Sequence, residues 1–175
     1  DTVALGVNEN TVVFGTGDPN LIDGDPGHAS FNCPHGLALE RDMLYVADTG
    51  NHAVRRINLR SGETITLVGN GRRGTPHEGL VREALSVQLD APRAVSVAND
   101  QLHIALTGDN TLWTYDLGRA FLTFRAGSGD LAIKDGLGSS ASFAQPVSLA
   151  AVQQTLYVCD SAGSAIRTLN LRTHQ

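Results

Sequence analysis

Acidic residues next to a glycine occur in each of three long polar segments of this 175-residue chain. Carboxylates gathered on one rim could hold a hard cation such as calcium, which takes six to eight oxygen ligands. Their spacing lacks the order of an EF-hand loop, and an aspartate that caps its own turn beside a glycine gives the same pattern. We therefore expect no cofactor, with calcium as the weaker alternative. The residues are Asp23, Asp25, Glu78 and Asp135, in segments 16–30, 70–87 and 128–142.

Other residue types that support catalysis are not arranged for it. The chain has no Gly-x-Ser-x-Gly elbow, no paired catalytic carboxylates and no cysteine–histidine couple. The segments Gly15-Thr-Gly17 and Gly127-Ser-Gly129 do not predict a phosphate loop, because each is expected between a strand and a loop rather than before a helix. Cys33 and Cys159 lie in different repeats, and we expect two free, buried thiols in a reducing compartment.

Composition argues against two classes of partner. The formal charge is −5, and adjacent cations occur only as the pairs Arg55-Arg56 and Arg72-Arg73, whereas nucleic-acid binding needs clustered cations. No stretch approaches the roughly eighteen apolar residues of a membrane span. We expect a globular, cytoplasmic protein that binds neither nucleic acid nor membrane. Because the first residue is Asp1 rather than methionine, a preceding leader or domain is left open.

The elements that position these residues are visible as three copies of one pattern. The repeated prolines Pro34, Pro92 and Pro146 lie 58 and 54 residues apart, and each begins an apolar run that a second apolar run follows. Repeats of this length built from short β-rich runs and turns indicate an array of small antiparallel sheets. The copies read Phe31-Asn-Cys-Pro-His-Gly-Leu-Ala-Leu39, Leu89-Asp-Ala-Pro-Arg-Ala-Val-Ser-Val97 and Phe143-Ala-Gln-Pro-Val-Ser-Leu-Ala-Ala151.

Each copy is predicted to form a four-stranded unit, about 31–71, 89–129 and 143–175. Two-residue turns such as Arg41-Asp42 join the first two strands. The third copy stops after its third strand, whereas residues 10–17, Asn10-Thr-Val-Val-Phe-Gly-Thr-Gly17, match the fourth strands of the other copies. We therefore expect an all-β fold in which this N-terminal strand completes the last unit. The first copy's strands are predicted at 35–40, 43–48, 53–59 and 63–69.

Opposite charges seven residues apart are predicted to brace adjacent strands within a unit. Asp48 is spaced in this way from Arg55, and Asp160 from Arg167. An ion pair or hydrogen bond between neighbouring strands explains the spacing better than a catalytic role does.

The sequence resembles the NHL-repeat β-propeller family. The motifs that carry the resemblance are Phe31-x-x-Pro34-x-Gly36-Leu-Ala and Leu44-Tyr-Val-Ala-Asp48-Thr-Gly-Asn51-His52-x-Val54-Arg55-x-Ile57. The third copy is a good match, and the second departs with Leu106 and Trp113 in the aspartate and arginine positions. The long repeat looks most like propellers that follow a thioredoxin-like domain in larger proteins. The resemblance implies a β-propeller of four-stranded antiparallel blades, used mostly as a binding platform.

Three blades cannot close a ring by themselves, since propellers need roughly four to eight. Two alternatives remain open. Two identical chains could close head to tail into a six-bladed ring, each lending its N-terminal strand to the other's third blade, or the chain could be half of a longer propeller. We favour the homodimer, because the surplus strand and the missing strand match.

The resemblance also implies where a ligand would bind. The residue after each repeated proline lies at the mouth of a propeller's central channel, and in this chain these residues are His35, Arg93 and Val147. One histidine per chain is too few for a catalytic zinc site with three protein ligands. We expect a non-catalytic binding or scaffold module that recognises a protein or small-molecule ligand at the channel mouth and the long-loop rim. The alternative is a lyase or lactonase that uses an axial metal ion. The candidate binding residues are His35 and Arg93, followed by His77, Glu78, Asp23, Asp25 and Asp135.

Overall fold

The structure, a computed structural model, describes residues 13–76 and 79–173. It is all-β, and its three antiparallel sheets follow the three copies of the sequence pattern. Every predicted strand of the first copy is present, with ends that differ by one residue at most. The first sheet contains, in spatial order, β1 (Pro34–Glu40), β2 (Met43–Asp48), β3 (Ala53–Asn58) and β4 (Thr64–Val68).

The second sheet has an additional short strand. It contains β5 (Leu80–Val81), β6 (Pro92–Ala98), β7 (Gln101–Leu106), β8 (Thr111–Asp116) and β9 (Phe121–Ala126), in the spatial order β5-β9-β8-β7-β6. We did not predict β5, because two residues are too few to show the alternation that marks a strand.

The third sheet has three strands within the described part of the chain. It contains β10 (Pro146–Val152), β11 (Thr155–Asp160) and β12 (Ala165–Asn170), in that order. The predicted fourth strand falls on residues 10–17, of which residues 10–12 lie outside the described residues.

The hairpin that joins the first two strands begins with a left-handed residue in all three units, and in the second unit the next residue, Asp100 (φ 57°), is left-handed as well. Arg41, Asn99 and Gln153 each begin this turn with a left-handed backbone, with φ of 54°, 53° and 54°. Two-residue turns with positive φ suit the right-handed twist of the paired strands. Asparagine adopts this conformation readily, whereas arginine and glutamine adopt it at some cost.

Two apolar clusters hold the three sheets face to face. The first lies between the first and second sheets, and the second lies between the second and third. The middle sheet is therefore covered on both faces. The main residues are Tyr45, Val54, Val68, Leu102, Ile104 and Trp113 in the first cluster, and Leu112, Phe143, Leu156, Val158 and Leu169 in the second.

The sheets stack so that their first strands lie side by side. Strand β6 contacts β1 on one side and β10 on the other. The three units are thus arranged like consecutive blades, with β1, β6 and β10 forming a common inner wall. Within the described residues, no helix is long and apolar enough to cross a membrane.

Candidate functional site

A cleft of about 410 Å³ lies where the three inner strands begin. It brings together the residues that follow the three repeated prolines, although they are more than fifty residues apart in the sequence. The resemblance implied that these residues lie at a channel mouth, and in the structure they line one concave surface. The lining consists of His35, Gly36, Leu37, Arg93, Ala94, Val95, Val147, Ser148 and Leu149.

Gly36 allows the first two inner strands to approach closely. A Cβ atom at this position would lie 2.7 Å from the carbonyl oxygen of Arg93 and 2.8 Å from the Cα atom of Ala94. Both distances are shorter than any ordinary Cβ contact allows. The glycine of the motif therefore sets the spacing between His35 on β1 and Arg93 on β6.

The chain enters each inner strand through a residue with a left-handed backbone. Cys33, Ala91 and Gln145, which precede the three prolines, have φ of 48°, 48° and 64°. Residues before proline normally adopt extended conformations, so this repeated geometry costs roughly 1–3 kcal/mol at each position. Hydrogen bonds to the preceding unit stabilise this backbone conformation at two of the positions. The amide of Ala91 donates to His52 Nδ1 (3.2 Å), and the amide of Gln145 donates to Asn110 Oδ1 (3.0 Å).

Two hydrogen bonds fix the tautomer of His35. Its Nδ1 lies 2.9 Å from the carbonyl oxygen of Cys33 and 3.1 Å from Thr49 Oγ1. Because a carbonyl oxygen only accepts, Nδ1 carries the proton, and the Nε2 of the neutral ring is an acceptor. Thr49 Oγ1 in turn donates to the carbonyl oxygen of Pro92 (2.6 Å), which links the imidazole to the next inner strand.

Arg93 is the cation of the cleft. Its side chain is half-buried, and it makes no hydrogen bond or ion pair with any other residue that the structure describes. Most buried or half-buried guanidinium groups have such partners. The donors of Arg93 are therefore available to a bound molecule.

The rim carboxylates have partners within their own units. Asp23 accepts a hydrogen bond from an Arg55 terminal nitrogen (2.7 Å) and two more from the amide and hydroxyl of Thr66 (3.0 and 2.9 Å). Asp135 pairs with Arg167 in the same manner. Asp25 pairs with His28 Nδ1 (2.8 Å), and this hydrogen bond lowers the pKa of the Asp25 carboxyl. The three carboxylates thus hold loops, while His77 and Glu78 lie outside the described residues.

Arg55 is the centre of a buried network that the sequence analysis identified only in part. The predicted pair with Asp48 is confirmed: the two groups are 2.9 Å apart and fully buried. Arg55 also donates to the carbonyl oxygens of Ser30 (2.9 Å) and Ile22 (2.7 Å), and it lies 5.0 Å from the ring centre of Phe31.

The third unit repeats this network. Arg167 lies 3.5 Å from Asp160, donates to the carbonyl oxygens of Ser142 and Lys134 (3.2 Å each) and lies 5.3 Å from the ring centre of Phe143. The equal 32-residue separations of Asp23 from Arg55 and of Asp135 from Arg167 were the signal that could have predicted the contacts of the loops.

The second unit replaces the network with apolar side chains. Leu89, Leu106 and Trp113 stand where the first unit has Phe31, Asp48 and Arg55, and all three are almost fully buried. The indole nitrogen of Trp113 donates to Thr111 Oγ1 (2.9 Å), and its ring meets that of Phe124 edge to face. This exchange is physically reasonable, because well-packed apolar groups can replace a buried ion pair at no loss of stability.

The remaining metal-binding and thiol candidates are placed as follows. No group of three or more histidine, cysteine or acidic side chains is close enough to hold a metal ion within residues 13–76 and 79–173. Both cysteines are free, as expected, but the prediction that they are buried was wrong: Cys33 is exposed and Cys159 half-buried. Cys33 occupies the left-handed turn before Pro34, which lies on the surface.

The stacked antiparallel units and their shared inner wall define a repeat protein of the β-propeller class. The NHL repeat model matches residues 31–57, the region that contains the buried Asp48–Arg55 pair. Residues 31–57 therefore form an NHL repeat, as the sequence resemblance predicted.

Two relatives match almost the whole chain. It is 34% identical over 165 residues to the chloroplastic protein SUPPRESSOR OF QUENCHING 1 of Arabidopsis thaliana, and the alignment covers 90% of this chain and 16% of the relative. It is 30% identical over 182 residues to the human NHL repeat-containing protein 2, covering 91% of this chain and 25% of the relative. The chain thus spans a quarter or less of these two relatives.

Solved structures agree on the fold. A Bacteroides thetaiotaomicron protein of unknown function superposes with a TM-score of 0.64 at 21% identity, covering 72% of this chain and 32% of that one. An auxiliary nutrient binding protein of Bacteroides ovatus gives a TM-score of 0.62 at 19% identity, covering 80% and 37%. The predicted thioredoxin-like neighbour domain remains a prediction.

Proposed function

We propose that this chain is a non-catalytic binding module whose channel-mouth cleft holds a carboxylate group of a protein or small-molecule ligand. The observation that carries the proposal is the half-buried guanidinium of Arg93, which has no partner among the described residues and lies in a cleft with His35. A guanidinium presents a planar fork of donors that matches the two oxygens of a carboxylate.

The other lining residues suggest the rest of the ligand. His35 Nε2 can accept a hydrogen bond from an amide or hydroxyl next to the carboxylate, since Nδ1 holds the ring proton. Leu37, Val95 and Leu149 supply apolar surface. A peptide that ends in a free carboxylate after an apolar residue fits this combination, as does a small apolar acid.

Binding is tested by titrating the labelled protein with short peptides and following the backbone amide signals by NMR. The probes are N-acetylated tetrapeptides with an apolar last residue, each prepared with a free and with an amidated C-terminus. We expect the free acids to shift the amides of 35–37, 93–95 and 147–149, and the amidated peptides to leave them unchanged.

Variants of Arg93 test which group binds the carboxylate. Arg93→Gln should weaken binding at least tenfold, and Arg93→Lys should weaken it less, because lysine keeps the charge but loses the fork. Arg72→Gln is a matched control, since Arg72 is an exposed arginine outside the cleft. Equal binding by free and amidated peptides, or by Arg93→Gln and the parent, would contradict the proposal. Stoichiometric calcium or zinc in protein purified without chelator would instead favour the metal-dependent enzyme.

A further inference from the structure

Strand β12 leaves one edge of the third sheet open within the described residues. In the other two sheets, β4 and β9 lie along the corresponding edge. A groove of about 570 Å³ runs beside β12, and it includes side chains from β12 and from the loop before β10. Two of its apolar side chains, Ile166 and Leu137, are 68% and 54% exposed. Its lining includes Asp135, Leu137, Phe143, Ile166, Arg167 and Leu169.

Residues 15–17 have the backbone of a segment that leaves a fourth strand. Gly15 has a φ of 110°, and its counterparts Gly69 and Gly127, just after β4 and β9, have 99° and 116°. Gly17 (87°) likewise matches Gly71 (81°) and Gly129 (89°). None of the three sheets contains residues 13–17.

A hydrogen bond in the loop that follows repeats the same equivalence. Thr16 Oγ1 lies 2.7 Å from Ser30 Oγ, and Ser128 Oγ lies 2.8 Å from Ser142 Oγ, and in both cases the partners are 14 positions apart in the sequence. Segment 13–17 is therefore in the position of a strand end, although no strand precedes it in the part of the chain that the structure describes.

The counterparts of Gly15 show what such a glycine normally contacts. A Cβ at Gly69 would lie 2.5 Å from the carbonyl oxygen of His52, and one at Gly127 would lie 2.4 Å from that of Asn110. In each case the glycine packs against the start of the third strand of its own unit. In the third unit the equivalent residue is Ser164, immediately before β12.

We propose that the open edge of β12 binds residues 10–15 of a second copy of this chain as an antiparallel fourth strand. Residues 10–15 of the same chain cannot reach this edge, because Gly15 is held beside Phe31 in the first unit and the second sheet lies between that unit and the third. Gly15 and the edge of β12 are therefore separated by two sheet-to-sheet spacings of about 10 Å each.

The pairing register follows from the complete first sheet. There Val54 pairs with Val68, Arg55 with Thr66 and Arg56 with Ile65. Transferred by repeat position, these pairs become Ile166 with Phe14, Arg167 with Val12 and Thr168 with Thr11. The incoming segment Thr11-Val-Val-Phe14 carries no charge, which suits a groove whose charged groups, Arg167 and Asp135, are already paired with each other.

Contacts between neighbouring units support head-to-tail exchange in both directions. Thr49 Oγ1 donates to the carbonyl oxygen of Pro92 (2.6 Å), and Thr107 Oγ1 donates to that of Pro146 (2.7 Å). Ser161 holds the same repeat position in the third unit, and in the exchanged pair it would face Pro34 of the second copy. Two chains of three units close into six, within the range of roughly four to eight that rings require.

Cysteine cross-linking tests the exchange and its register. In a Cys33→Ser, Cys159→Ser background, one protein carries Thr11→Cys and another carries Thr168→Cys, and the two are mixed, unfolded together and refolded. A short bis-maleimide should then give a covalent dimer of twice the 18.5 kDa chain mass in good yield.

The control replaces Thr168→Cys with Ser61→Cys, an exposed turn position in the first unit. We expect cross-linking of this pair to be at least tenfold lower. Equal yields for the two pairs, or no cross-link to position 168, would overturn the proposal. A double variant that cross-links only within one chain, at a rate independent of protein concentration, would also overturn it.

Discussion

The Arg55 guanidinium connects groups that lie far apart in the chain, and each of its contacts is stabilising only while the others remain. It joins Asp48 in β2, Asp23 in a long loop and two loop carbonyls. Removing one member of a buried charge network leaves the others without a partner, which costs more than the pair itself contributes. The network therefore fixes where the loop lies against the sheet.

Replacing Arg55 should destabilise the protein strongly. We expect Arg55→Met to lower the free energy of unfolding by about 3–5 kcal/mol, because the buried Asp48 carboxylate would lose its cation. Arg60→Met is the control, since the exposed Arg60–Asp42 pair contributes about 1 kcal/mol or less. Urea unfolding measures both. Similar losses for the two variants would contradict the role assigned to the network.

The second unit suggests a compensating pair of substitutions. Asp48→Leu with Arg55→Trp copies Leu106 and Trp113 into the first unit. We expect the double variant to be less destabilised than the sum of its two single variants by at least about 1 kcal/mol, because the two charges are removed together. Additive losses would show that the two networks are not interchangeable.

Two buried groups in the second unit titrate in the same pH range with opposite effects on stability. Burial raises the pKa of Asp109 to about 6, and burial together with Arg125 lowers that of His103 to about 4. The raised carboxyl pKa means that stability falls as pH rises from about 4 to 6, while the lowered imidazole pKa means that stability falls as pH drops from about 6.5 to 4. In the parent protein the two effects partly cancel.

Asp109→Asn should separate the two effects. We expect this variant to gain about 1–2 kcal/mol at pH 7 and to become steadily more stable between pH 4 and 6.5, because the effect of His103 is then no longer opposed by that of Asp109. His103→Gln should show the opposite slope. Urea midpoints across this pH range measure both, and parallel profiles for the two variants would show that these groups do not control the pH dependence.

At the scale of elements, the local sequence pattern predicted the strands but not the contacts that the long loops make with them. Alternating residues and two-residue turns placed β1 to β4 within a residue, because these signals lie inside each segment. Asp23, in a loop, pairs with Arg55, in a strand 32 residues later. The local sequence around Asp23 does not show this partner, so the carboxylate was predicted to be a free ligand on the rim. His35 and Arg93 could be placed together because the repeat puts equivalent residues side by side.

Gly36 tests how closely the inner strands must approach. We expect Gly36→Ala to lower stability by about 1–3 kcal/mol and to weaken peptide binding, because its Cβ would displace β6 and with it Arg93. Gly118→Ala is the matched control, since its Cβ would be 3.6 Å from the nearest atom, an ordinary contact. Unchanged stability and binding in Gly36→Ala would contradict the close approach of β1 and β6.

At the scale of the whole molecule, binding and assembly meet on the inner wall. The cleft is formed by β1, β6 and β10 of one chain, and a second chain would add the same three strands on the opposite side of a central channel. Strand exchange would also cover the exposed apolar groove beside β12. Sequence repetition predicted that His35 and Arg93 lie together, whereas the chemistry of the cleft depended on which side chains remain without partners among the described residues after folding.

The most direct test of the account is the mass in solution, measured by light scattering on a sizing column over a dilution series. We expect a stable species of twice the 18.5 kDa chain mass, which Phe14→Asp should convert to single chains while Asp18→Asn leaves it intact. A single-chain mass at every concentration for the parent protein would contradict the exchanged ring.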